Sequence, residues 1–106
     1  MFAFSTKTKF SSKHVNELGE TKNNINIIDI REAHEYQRGF VPGAKSIPMS
    51  TLLSKPEKYL DITKEYHVIC QSGGRSLNAC HKLSTLGYNV INVSGGTGSY
   101  NGTLER

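Results

Sequence analysis

Cys70-Gln71-Ser72-Gly73-Gly74-Arg75-Ser76 is the stretch of this 106-residue chain whose residue types and spacing could do chemistry. A thiol directly follows the apolar pair Val68-Ile69; then come two glycines, an arginine and, at Ser76, the expected start of a helix. A strand that delivers a cysteine into a glycine turn capped by a helix N-terminus is built to hold a sulfur anion. Successive backbone N–H groups in such a turn point inward as an anion nest, and the helix adds the positive end of its dipole. Both favour thiolate over thiol, and the thiolate is the nucleophile. Gly73 and Gly74 let the backbone approach the sulfur and take positive φ without a side-chain clash. Arg75 can point into the pocket as a charge partner or outward to fix the loop, and the sequence leaves both open. The competing reading of Cys70 is a buried strand-end cysteine acting as a small hydrophobe.

The other reactive residue types organise less. Cys80 falls on the core face of the helix after the loop, where packing is its expected role and resolving Cys70 a minor alternative. His67, Cys70, Cys80 and His81 do not make a zinc site: adjacent Cys80 and His81 on a helix point about 100° apart, and no Cys-x-x-Cys is present. Its absence also argues against thioredoxin-type redox work. His14 and His34 read as surface residues with nothing nearby to organise a triad. No metal and no cofactor is expected.

Length and composition bound the elements that must position the loop. A chain of this size makes one domain, residues 1–106, around a single core. Hydrophobic residues at 36% and charged residues at 21% fit a soluble globular domain, and no segment approaches the ~18 apolar residues of a membrane span. The N-terminus turns polar before a signal-peptide core forms, which points to a cytoplasmic protein with free thiols. The net charge of +4 is spread along the chain, so neither a nucleic-acid face nor a membrane partner is expected.

In chain order, the pattern predicts a short strand over 8–10 and a helix over Lys13 to Leu18, capped by Ser11 or Ser12 and stopped at Gly19. Residues 21–24 have turn composition. The β-branched run Ile25 to Ile30 reads as a strand buried on both faces, ending near Asp29 and Arg31. A helix over Glu32 to Gln37, a type II turn at Pro42-Gly43 and a brief strand over 45–47 follow. Ser50 caps a predicted helix over 51–54, with a further turn over 57–60. Next come a strand over 66–69, the cysteine loop, a helix from Ser76 with Leu77, Ala79, Cys80, Leu83 and Leu86 on one face, and a strand over 88–93. Strands alternating with helices imply a parallel α/β sheet, whose ligands sit at the carboxyl ends of strands, where Asp29, Arg31 and Cys70 fall.

Taken together, Asp29-Ile30-Arg31, Glu35-Tyr36, Gly39-Phe40-Val41-Pro42-Gly43-Ala44, Ile47-Pro48, the Cys70 loop, Leu86-Gly87-Tyr88-Asn89-Val90 and Ser94-Gly95-Gly96 resemble, in order, the pattern of single-domain rhodaneses, the sulfurtransferase family. The resemblance covers about residues 24–100. It implies an α/β fold with a five-stranded, mostly parallel sheet flanked by helices on both faces. It also implies a Cys70 persulfide that takes sulfur from a small donor anion such as thiosulfate, or from a low-molecular-weight persulfide. The sulfur would pass to a thiol, a protein acceptor or, in vitro, cyanide. The binding loop would be Gln71, Ser72, Gly73, Gly74, Arg75 and Ser76, with Asp29 and Arg31 bracing it. Phe40 stands where the family usually has histidine, Tyr100 where it often has tryptophan, and Gln71 and Ser72 are neutral where thiosulfate-preferring members are basic.

Two rival functions remain. Cysteine-dependent phosphatases and arsenate reductases share the order cysteine, glycine loop, arginine, helix. They place one residue more between cysteine and arginine than the four, Gln71 to Gly74, found here. A rhodanese module can also serve as a non-catalytic docking or regulatory domain, since fold does not fix function.

Overall fold

The computed structural model describes residues 9–19 and 24–106. Five strands form one all-parallel sheet: β1 (Ser11–His14), β2 (Asn26–Asp29), β3 (Ala44–Ser46), β4 (Glu65–Ile69) and β5 (Asn89–Ser94), in the order β1-β5-β4-β2-β3. Helices α1 (Ala33–Gln37), α2 (Met49–Ser54) and α3 (Gly74–Thr85) join them, with 3-10 turns at Val15–Glu17, Pro56–Lys58 and Thr97–Ser99.

Side chains alternate across each strand, so one sequence feeds two cores. Ile28, Ile30, Tyr66, Val68, Cys70 and Val90 face α2 and α3, where Leu52, Ala79, Cys80 and Leu83 meet them. Ile27, Ile69 and Val93 face the other way, against Val15, Leu18 and Val41, with Tyr36 of α1 packed alongside. Parallel strands covered on both faces must be apolar nearly throughout, and β4 is buried from Tyr66 to Ile69.

The strands after Asn26, the all-parallel α/β fold and the Pro42-Gly43 turn agree with expectation. Gly43 has φ +92°, and the Ala44 N–H donates to the Val41 carbonyl at 3.0 Å. The N-terminal region differs. The expected strand over 8–10 lies partly outside the described residues, and Lys9 and Phe10 precede β1. In place of the expected helix over Lys13 to Leu18, Ser11–His14 form an edge strand on β5, and His14, not Ser11 or Ser12, caps a single 3-10 turn. All four β1 residues are exposed, so no burial pattern marks this strand in the sequence. Of the turn expected over 21–24, only Asn24 is described. Helix α2 begins at Met49 behind Pro48, so Ser50 lies inside it.

Helix α3 starts at Gly74, two residues earlier than predicted, and its buried face is Ser76, Ala79, Cys80 and Leu83. Leu77 and Leu86 are exposed, against the expectation that both face the core. The position they left goes to Ser76, which is fully buried next to Cys70. Gly87, φ +97°, ends the helix as predicted.

Candidate active site

Strand β4 ends at Ile69, and the chain turns so that Cys70 lies under the first turn of α3, only 1% exposed. Its Sγ accepts from the Gly73 N–H at 3.1 Å and the Ser76 N–H at 3.3 Å, and lies 3.4 Å from Ser76 Oγ. The turn requires glycine at one of its two glycine positions. Gly73 has φ +110° and its added Cβ would sit 3.5 Å from the Gly95 nitrogen. Gly74 is helical with open space around it, so the expectation of positive φ holds at Gly73 and not at Gly74.

Burial pushes the Cys70 pKa up. Hydrogen bonds from the Ser76 hydroxyl and from the Ser76, Gly73 and Ser72 N–H groups outweigh it, and the thiol ends below its ordinary value. Of the residues predicted to cradle the sulfur, Ser72, Gly73 and Ser76 therefore act on Sγ. Cys80 takes the opposite course: burial lifts it to about 12, with the Cys70 charge adding to the rise, and it stays a packing thiol.

Gln71 and Arg75 turn away from the sulfur. Arg75 faces outward, donating through Nη1 and Nη2 to Glu35 Oε1 and Oε2 at 2.8 and 2.9 Å. Glu35 also accepts from the Glu32 N–H, so one carboxylate caps α1 and tethers the start of α3. The Arg75 hydrogen bonds hold Glu35 well down, to about 2, against the opposing effect of burial, with the Glu32 N–H and the Arg75 and Arg31 charges adding to the fall.

Asp29 and Arg31 brace the loop from beneath. The Arg31 Nε and Nη2 both donate to the Asp29 carboxylate, the closest contact being 2.8 Å, and both side chains are buried. The remaining donors reach the Gly39 carbonyl at 2.8 Å and Gln71 Oε1 at 3.1 Å, so the pair grips the residue next to the nucleophile. On the outer side, the Thr97 and Gly98 N–H groups donate to the Cys70 and Gln71 carbonyls, both at 2.9 Å. Gly96 lies so close that a Cβ there would overlap those same two carbonyl oxygens.

Beside the loop opens a cavity of about 470 Å³ lined by Arg31, Glu35, Arg38, Gln71, Thr97 and Tyr100, among others. Tyr100 therefore does sit at the rim. Phe40 stacks on Tyr36 at 4.1 Å and pairs its backbone with Glu105. The described residues bring no three candidate metal ligands together, and His81 packs edge-on against Phe10. No described helix is long and apolar enough to cross a membrane.

Sequence reasoning missed three site residues: Glu35 as the partner of Arg75, Thr97 as a loop anchor, and Asn92, whose Oδ1 meets Ser76 Oγ at 2.6 Å. For Asn92 a signal was present, a polar residue in the otherwise apolar strand Val90 to Val93.

A parallel α/β domain with a cysteine set in an amide nest at the carboxyl end of its central strand places that cysteine where such sheets bind their ligands. The family model of the Rhodanese-like domain matches residues 12–103, and the chain belongs to that family. The match starts within β1, earlier than the motifs alone reach. A Bacillus subtilis protein named "Putative sulfurtransferase YtwF" is 37% identical over 97 residues, covering 92% of this chain and 93% of that protein. A protein of Allochromatium vinosum named "Sulfurtransferase" is 37% identical over 73 residues, covering 66% of this chain and 65% of its own. Among solved structures, SSP1007 from Staphylococcus saprophyticus superposes with a TM-score of 0.81 at 34% identity, covering 92% of this chain and all of that one. A rhodanese-like domain protein from Staphylococcus aureus gives 0.78 at 28% identity, covering 91% and 97%.

Proposed function

We propose that this protein is a sulfurtransferase that carries a sulfane sulfur as a persulfide on Cys70. The observation that supports it best is the sulfur itself, buried, receiving two backbone N–H groups at a helix N-terminus, with its pKa drawn down. In the first step the Cys70 thiolate attacks the outer sulfur of a donor. A Cys–S–S bond forms, the donor's S–S bond breaks, and sulfite or a thiolate leaves with the electron pair. In the second step a thiophilic acceptor, cyanide or a thiolate, attacks the outer sulfur and Cys70 leaves as thiolate. Nucleophile and leaving group are the same stabilised anion, and no general base is needed.

The charges around the loop bear on the donor. Arg31 is paired with Asp29 and Arg75 with Glu35, and Gln71 and Ser72 are neutral. Arg38 is the cavity-lining cation without an ion-pair partner among the described residues. With one unpaired cation and a neutral loop, the cavity lacks the clustered positive charge that would favour the thiosulfate dianion, and a persulfide donor fits it better. The phosphatase reading is the weaker one, because a tetrahedral oxyanion needs the loop arginine turned toward it and Arg75 is held outward by Glu35.

Intact mass after incubation with glutathione persulfide, and separately with thiosulfate, tests the proposal. The expected result is one added sulfur in the wild type and none in Cys70→Ser. Transfer to cyanide should depend on Cys70, with faster loading from the persulfide. A protein that folds but gains no sulfur from either donor would be a docking module, and Cys70-dependent turnover of p-nitrophenyl phosphate would promote the phosphatase.

A further inference from the structure

The Ser76 hydroxyl has one proton and three polar neighbours: Cys70 Sγ at 3.4 Å, the Gly73 carbonyl at 3.1 Å and Asn92 Oδ1 at 2.6 Å. Ser76 is fully buried and Asn92 is 4% exposed. The other end of the Asn92 amide, Nδ2, lies 3.4 Å from Ser12 Oγ, its cross-strand neighbour in β1. The result is a side-chain chain running from the sulfur to the sheet edge: Cys70, Ser76, Asn92, Ser12.

The polarity of this chain depends on the charge of Cys70. With a thiol, S–H donates to Ser76 Oγ, and Oγ–H donates to Asn92 Oδ1, as the 2.6 Å contact requires. A thiolate has no proton to give and instead accepts a hydrogen bond from the Ser76 hydroxyl. Oγ and Oδ1 would then face each other as two acceptors at the shortest contact in the cluster. Rotating the amide end for end resolves this: Nδ2–H donates to Oγ, and Oδ1 accepts from Ser12, whose hydroxyl serves in either direction. Asparagine presents a donor and an acceptor of the same shape. Aspartate has only acceptors and leucine neither.

We infer that Asn92 is a positioning residue whose side-chain amide turns over as charge arrives at and leaves Cys70, keeping the Ser76 hydroxyl aimed at the sulfur anion. The inference rests on the proposed thiolate chemistry: loading moves the charge from Sγ to the outer sulfur, which lets the Ser76 hydroxyl return to Asn92 Oδ1, and release of the sulfur brings the charge back to Sγ. Among the described residues, few other charged groups bear on the sulfur. Arg75 of α3 responds to the Cys70 charge but is neutralised by Glu35, Cys80 of α3 remains a thiol, and the Asp29–Arg31 pair closes the end of β2. Residues 89–99, comprising β5 and the turn after it, contain no titratable side chain.

The Asn92 Nδ2 proton resonances of the ¹⁵N-labelled protein, followed over pH beside the thiolate absorbance, provide a test that needs no variant of Asn92. They should shift with the same midpoint as Cys70 ionisation and stay still in Cys70→Ser. Iodoacetamide alkylation rates give a second readout that does not depend on sulfur transfer. Asn92→Leu should alkylate about tenfold more slowly below the midpoint, the loss of one hydrogen bond to the anionic state. Asn92→Asp should be slower still, and Asn92→Leu should add nothing in a Ser76→Ala background, because Asn92 acts through Ser76. Resonances that ignore Cys70 ionisation, or an Asn92→Leu effect that persists without the Ser76 hydroxyl, would overturn the inference. Failure of persulfide formation with these couplings intact would overturn the sulfurtransferase reading and leave the relay standing.

Discussion

Two arginine–carboxylate pairs hold the cysteine loop, and they share a chemistry while differing in burial. Asp29–Arg31 lies beneath the loop with side chains 0% and 4% exposed; Glu35–Arg75 lies outside it at 23% and 40%. In the buried pair every guanidinium nitrogen has a protein partner, and one of those bonds reaches Gln71. In the outer pair water competes for both ions. The buried pair is therefore a frame whose loss leaves an unsolvated charge, and the outer pair is a tether between two helix starts.

The largest break of that contrast is Asp29→Asn, which leaves Arg31 charged and buried without its counter-ion. It should cost about 3–5 kcal/mol in urea unfolding. Next is Arg31→Lys, which keeps the charge but not the planar fork. The Gly39 carbonyl and Gln71 Oε1 lose their donors, for about 2 kcal/mol. Its sulfur loading should fall with stability, since Gln71 is no longer gripped. Glu35→Gln should cost about 1 kcal/mol or less after solvent screening, and the loss should shrink further at high salt.

Acid titration sharpens the same contrast. The folded-state pKa of Glu35, about 2, lies below its ordinary 4.5 because Arg75 holds the ionised form. Its contribution to stability is complete above pH 4.5 and is lost as pH falls toward 2. Urea midpoints over that interval should fall less steeply in Glu35→Gln than in the wild type. An unchanged slope would mean the tether is absent in solution.

What the sequence reveals of the site is what lies contiguously in it. Cys70 to Ser76 can be read because strand, turn and helix start follow one another, and the short-range hydrogen bonds on Sγ follow from that order. Glu35 meets Arg75 and Asn92 meets Ser76 only because parallel strands bring distant segments to one edge, and no local pattern carries such pairings. Leu77 and Leu86 cannot both face the core: nine residues at 100° each set them half a turn apart, and the buried face of Ser76, Ala79, Cys80 and Leu83 runs between them. Ser76 then takes a core position that hydrophobicity alone would not assign to a serine. Edge strand β1 fails for the reverse reason: Ser11–His14 are exposed, and their pairing to β5 comes from the partner strand and not from their own side chains.

The depth of Cys70 makes the loop a gauge. At 1% exposure the bare sulfur meets only a reagent narrow enough to reach into the turn, which shields it from bulky disulfides. In the proposed persulfide, one added sulfur bonded at about 2.05 Å would set the reactive end that much farther from Sγ. The loaded protein would thus offer its cargo to partners too wide to touch the empty one, so that the same opening admits small donors and serves larger acceptors.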